Sequence, residues 1–255
     1  MIIKFKRILF IGESMNNYNI YPYQNDLFYN ENNGDYNKIK VIKNKKNNHI
    51  YETLLFKNIN KKLINTLKKE IFLFLKDSKI TKKKHILIVG MGSDFYTPDA
   101  IGPSTLKHIK VNSYLENLGV KLNKTKVSSL KPGVLGETGI LTEKTIISVT
   151  KEIKPDFVIL IDSFVTNNIN YLNHTIELNN KGITPGIGIK GINSKINSKK
   201  LHIPILVIGV TTSILVNFDN NKIPYILSCK DIDEYVLKIS EVLGKSINGA
   251  INALN

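Results

Sequence analysis

An α/β architecture, with a mostly parallel sheet flanked by helices, is what this sequence predicts, and three observations carry it. Short apolar runs in "HILIVG", "FVILID" and "PILVIGV" read as strands covered on both faces. Stretches with apolar residues at helical spacing lie between them. From His85 onward the two patterns alternate, which favours parallel strands joined by helices.

The elements follow in order. "MIIKFKRILFIGES" lacks the long apolar segment and small-residue cleavage site of a signal peptide, so it reads as a strand. Residues 12–50 are rich in Asn and Tyr and read as loops, with short strands at Lys38–Ile42 and His49–Phe56. Asn58–Lys76 places Leu63, Ile64, Leu67, Ile71, Phe72 and Leu75 on one helical face. His85–Val89 is a buried strand, Gly90–Pro98 a crossover, and Ala100–Leu118 a helix with Asp99 at its start. Thr125–Ser129 reads as a short strand and "KPGVLGETG" as a glycine loop. Thr142–Ile153 is a helix with Thr142 as its N-cap. A second buried strand ends on Asp162, and Leu172–Leu178 alternates as an edge strand would. Ile205–Val210 is a third buried strand, and Lys230–Leu254 is a closing helix. Residues 1–84 therefore form an amino-terminal region packed on an α/β core of residues 85–255.

Bulk composition narrows the function. The chain has 255 residues, 42% of them hydrophobic and 22% charged, as expected of a globular protein. No apolar run is long enough to span a bilayer, so no membrane partner is expected. Most of the net charge of +15 lies in residues 1–84, yet Arg7 is the only arginine. Nucleic-acid recognition usually draws on the arginine fork, so a solvated lysine surface, mildly attractive to acidic proteins, is the expectation. The single cysteine, Cys229, forms no internal disulfide or cysteine zinc cluster, which fits a reducing, intracellular location.

Three features lie where strand ends should converge: Asp99, Asp162, and a loop with Gly133, Gly136 and Gly139 three apart. Open α/β sheets bind ligands at such crossovers. Two carboxylates held together in a partly dry site share a proton, so one can accept a proton from water while the other protonates a leaving group. The glycines would let a ligand or chain approach the backbone. On spacing alone, Asp99 also fits a helix cap, Asp162 a strand-end cap and Asp94 a loop role. Other chemistries find less support. "GMGSDF" places Phe95 where a dinucleotide loop needs its third glycine. His49, His85, His108, His174 and His202 are scattered, His174 reads as structural, and Cys229 reads as a small buried hydrophobe. No metal or cofactor is expected.

The segments "VGMGSDFYTPDAIGP", "PGVLGETGI", "KPDFVILIDSF", "NHTIEL", "GITPGIGI" and "IPILVIGVTT", in this order and spacing, resemble the germination protease family. With the tail "SCKDIDEYVLKISEVLGKSINGAINAL", the resemblance covers Lys84 to Asn255. It implies an atypical aspartic endopeptidase with a fold similar to the hydrogenase maturation proteases, made as a zymogen and tetrameric when mature. It implies Asp99 and Asp162 as catalytic aspartates and small acid-soluble spore proteins as substrates at germination, in the cytoplasm of the spore core or forespore. The family's amino-terminal Arg-Thr-Asp-Leu-Ala stretch and processing site have no counterpart in residues 1–84, so activity without removal of a short propeptide is expected. Thr184 and Ile187 replace residues of the family's His-Pro-Gly-Ser-Gly, and the segment between Val216 and Tyr225 is shorter. Two further readings remain: a metal-dependent peptidase of the hydrogenase-maturation type, and a non-catalytic spore protein retaining the fold. On the leading reading, the Asp99 and Asp162 carboxyls should reach a shared water or hydrogen bond.

Overall fold

The central strands open on continuous apolar runs because both of their faces are covered there. In β3 (His85–Gly90), Ile86 and Ile88 enter one core cluster while Leu87 and Val89 enter a second. β5 (Phe157–Thr166) and β7 (Ile205–Val216) divide likewise, with Ile159 and Ile208 on the first side and Leu160 and Val207 on the other. The first side is closed by α1 (Lys61–Asp77), α2 (Ile101–Leu106) and α7 (Ile232–Asn252), the second by α5 (Thr142–Ile153) and α6 (Ser198–Leu201). The computed structural model describes residues 39–46, 49–185, 195–216 and 225–255. The amino-terminal strand, most of the Asn- and Tyr-rich stretch and Ile187 lie outside these residues, as does the segment after Val216. No described helix is long and apolar enough to cross a membrane.

The sheet is mixed rather than mostly parallel. Its order is β1-β2-β6-β7-β5-β3-β4, where β1 is Lys40–Lys46, β2 is His49–Leu55, β4 is Lys126–Leu130 and β6 is Thr175–Asn179. β4, β3, β5 and β7 run parallel, with β5 between β3 and β7. The β1–β2 hairpin and β6 join antiparallel, as does β8 (Tyr225–Leu227) on the far half of β7. The amphipathic α1 is capped by Asn60, whose side chain accepts from the Leu63 N–H at 3.1 Å. It packs on α7, whose Ile239, Leu243 and Ile247 are fully buried; each such side chain contributes about 2 kcal/mol. Lys43 of β1 pairs with Glu70 of α1 and, at 2.9 Å, with Glu52 of β2, tying the hairpin to the helix layer.

Several expectations from sequence are corrected. Ala100–Leu118 is two short helices, α2 and α3 (Tyr114–Asn117). Asn112 breaks the run: its amide side chain accepts from Val127 N–H at 2.8 Å and donates to the Thr125 carbonyl at 3.0 Å, pinning the chain to β4. Thr142 does not cap α5; Leu141 holds that position, and the Thr142 hydroxyl donates to the Gly133 carbonyl at 2.9 Å. β6 is interior rather than an edge strand, with all five residues buried between β2 and β7. The Asn179 side chain accepts from Lys181 and Gly182 N–H and shapes the turn that follows. Cys229 is exposed rather than buried; partial desolvation of the thiol and the nearby Asp231 charge push its pKa up, away from a reactive thiolate.

Candidate active site

Asp99 owes its position to contacts on both sides of the crossover. After β3 the Met91 N–H donates to the Ile161 carbonyl at 2.9 Å, so the chain leaves the sheet alongside β5. It then makes a 3-10 turn, Thr97–Asp99, started by Pro98. From the other side the Thr212 hydroxyl of β7 donates to the Pro98 carbonyl at 2.7 Å. The turn is clamped over β5 and β7. A side chain at Gly92 would collide with the Asp99 carbonyl, at 1.9 Å from its Cβ. Only glycine lets the loop fold onto this turn.

Asp162 lies within β5, four residues before its end, rather than at a strand terminus. It lies on the same strand face as Leu160 and pairs with Gly209 of β7 in the strand register. Its Oδ1 accepts from the Ser163 N–H at 2.9 Å. The Asp99 Oδ2 accepts from the Ser93 N–H at 3.0 Å.

Both carboxyls hold protons more tightly than an ordinary aspartate. Burial raises Asp99 to about 6; the Ser93 N–H opposes this, and the Glu137 charge adds to it. Burial also raises Asp162 well above the usual range, and the charge of Asp99 raises it further against the opposing Ser163 N–H. The two groups therefore sense each other, and their protons come off as those of a pair. Tyr96 borders the same space, since burial and the Asp99 charge push its phenol upward. Chemically, such a pair can hold one proton while its second member accepts another from water.

The glycine loop lies in the connection from β4 to α5 and carries a single turn, α4 (Leu135–Thr138). Gly133 and Gly139 answer to backbone geometry, with φ of 72° and 69°; Gly139 ends α4 in the left-handed conformation. Gly136 differs: it is helical, exposed, and has nothing within 4 Å of where a side chain would stand. Asp94 caps nothing and instead makes an exposed ion pair with Lys131 at 2.5 Å.

Two residues of this site were not singled out by sequence reasoning. Glu137 of α4 accepts a hydrogen bond from the Ser93 hydroxyl, and that hydroxyl accepts from the Phe95 N–H at 3.0 Å. The available signal was the lone acidic side chain in the glycine loop "KPGVLGETG". Phe95, between Asp94 and Tyr96, is 89% exposed. His174 is structural: its Nδ1 lies 3.1 Å from the Phe56 carbonyl. No cluster of three His, Cys, Asp or Glu among the described residues is arranged to hold a metal ion.

Residues 30–229 match the family model described as germination protease. That match starts well before Lys84, so it includes β1, β2 and α1, which sequence reading had left outside the resemblance. The germination protease of Oceanobacillus iheyensis is 37% identical over 165 residues, covering 63% of this chain and 45% of the relative. The germination protease of Bacillus cereus (strain AH187) is 37% identical over 163 residues, covering 62% and 44%. The matched stretch thus spans less than half the length of these curated relatives. With the family model covering most of the sequence, the chain belongs to the germination protease family.

Proposed function

We propose that this chain is an endopeptidase that hydrolyses small acid-soluble spore proteins at germination, using water activated between Asp99 and Asp162. The observation that carries this reading is the pair itself: two carboxyls from the β3 crossover and the neighbouring β5, both with raised proton affinity, the second partly because of the first. At neutral pH Asp99, the weaker proton holder, is the base. It removes a proton from water as the oxygen attacks the amide carbon. Asp162 holds its proton and donates toward the carbonyl oxygen, and the amine leaves with a proton returned from the pair. The peptide runs past the glycine loop, with Gly133, Gly136 and Gly139 as substrate-binding positions; the open space at Gly136 supports this placement. In the spore core the enzyme works as a homo-oligomer, a tetramer in this reading.

Incubation of the purified chain with a small acid-soluble spore protein tests the proposal. Discrete cleavage indifferent to chelator is expected. Cleavage abolished by chelator would replace it with metal-dependent chemistry, and binding without cleavage with a non-catalytic role.

The pair also sets a pH profile. Because Asp99 titrates at about 6, kcat/KM should rise as pH passes that value and the base ionises. It should fall again at higher pH, when Asp162 loses the shared proton. A profile flat from about pH 5 to pH 9 would remove carboxylates from the chemistry. Gly136→Ala offers a check on the peptide path. The added methyl projects into open space, so folding should be intact while KM rises several-fold; an unchanged KM would move the peptide away from the loop.

A further inference from the structure

The Asp99 carboxyl is joined to another acid, Glu137, through one serine. Ser93 donates its backbone N–H to Asp99 Oδ2 and its hydroxyl to Glu137 Oε1. The same hydroxyl accepts from Phe95 N–H, so the loop after β3 closes on itself around this side chain. Ser93 is buried, although Asp94, Phe95 and Tyr96 beside it are exposed. Glu137, by contrast, is exposed on α4, in a loop supplied by a different crossover. A surface carboxylate thus holds a buried hydroxyl whose own backbone holds Asp99.

We propose that Glu137 is a positioning residue for the reaction: through Ser93 it fixes the loop that orients Asp99, and its charge tunes when Asp99 can act as a base. This rests on the Asp99–Asp162 reading above. The two parts of the role separate chemically. Orientation needs only an acceptor for the Ser93 hydroxyl, whereas tuning needs the negative charge. Titratable groups face Asp99 from three elements. Asp162 faces it from β5, Tyr96 lies on its own loop, and Glu137 reaches it from α4. Lys131 senses Glu137 as well, but its ammonium is engaged by Asp94. From β7 the uncharged Thr212 hydroxyl meets this turn. Glu137 is therefore a solvent-facing charge that reaches the pair, so its influence is screened by salt in a way that Asp162's is not.

Three single variants, one double variant and one titration test the proposal. Glu137→Gln keeps an acceptor for Ser93 and loses the charge. Its acid limb of kcat/KM should move down by roughly half a pH unit, the size of one screened charge a few ångströms away, and the shift should shrink in high salt. Glu137→Ala and Ser93→Ala each break the bond, so kcat should fall about tenfold with KM little changed, and the double variant should be no worse than either. The Asp99 carboxyl is also titrated by carbon-13 NMR in the wild type and in Glu137→Gln, which reads the tuning without any substrate. An acid limb and an Asp99 titration both unmoved by Glu137→Gln would overturn the tuning role. Normal kcat in Glu137→Ala would overturn the orienting role. Neither result touches the dyad, which fails separately if Asp99→Asn still cleaves.

Discussion

Asp99→Asn and Asp162→Asn are each expected to lower turnover of a spore-protein substrate by about 1,000-fold or more, with the fold intact. An amide keeps the size of the carboxyl and an acceptor for the Ser93 or Ser163 N–H, but cannot exchange the proton on which the proposed reaction runs. The double variant should be scarcely worse than either single one, because groups that act as a unit are strongly non-additive. Asp94→Asn removes only an exposed ion pair with Lys131 and should change turnover little. Stability supplies an independent check. A carboxyl whose folded pKa lies above its unfolded value stabilises the fold most below the unfolded value near 3.8, and that contribution is lost as pH rises through about 6. Asp99→Asn should therefore melt above the wild type at pH 7, by on the order of 2–3 kcal/mol, with the gap closing below about pH 4. An inactive but stabilised variant is the signature of a group held for chemistry. Near-normal turnover in either single variant would end the dyad model.

Gly102→Ala should destabilise the protein sharply through a clash of backbone on backbone. A Cβ there would lie 2.1 Å from the Met91 carbonyl oxygen and 2.4 Å from the Met91 nitrogen, both backbone atoms that cannot rotate aside. The reciprocal contact is as tight, since a Cβ on Gly90 would lie 2.4 Å from the Gly102 carbonyl oxygen. α2 thus crosses the end of β3 backbone against backbone, and Asp99 precedes that crossing by three residues. An added methyl must lift α2, at a cost of about 3 kcal/mol, or roughly 10 °C in Tm. The Asp99 turn would move with it, so activity should fall even where the variant remains folded. Gly136→Ala is the matching control, with open space and ordinary helical backbone, and its Tm should stay at the wild-type value. Equal melting temperatures for the two alanine variants would show that the crossing is looser than the geometry requires.

How far the sequence discloses this arrangement varies by element. The buried strands were legible because "ILIV" and "FVILI" are apolar on both faces, a pattern that only two-sided cover requires. Asp162 was legible as a candidate but not in its setting: a lone acid after five apolar residues reads as a strand end, whereas β5 continues to Thr166. β6 misled for a related reason. "HTIEL" alternates as an edge strand does, yet Glu177 and Asn179 are buried, which no local pattern announces. The helix after Asp99 looked continuous because Asn112 breaks it through bonds to β4, a partner fixed only by tertiary structure. Glu137 shares that difficulty. Its link to Ser93 spans two crossovers and depends on how they meet.

The placement of β6 also bears on how the chain reaches this structure. β2 pairs with β6 from Tyr51 with Asn179 to Leu55 with Thr175, so an early hairpin completes its ladder only with a segment made much later. A two-stranded hairpin alone is marginal in water, and closing so long a loop delays the contacts that would reward it. The parallel core from β3 to β5 can form before the hairpin has a partner. During synthesis Leu54, fully buried in the finished protein, would wait on an open sheet edge. Folding should therefore end with a slow docking of β1 and β2 onto β6. That interval is when the chain is most prone to join a neighbour's edge instead of its own.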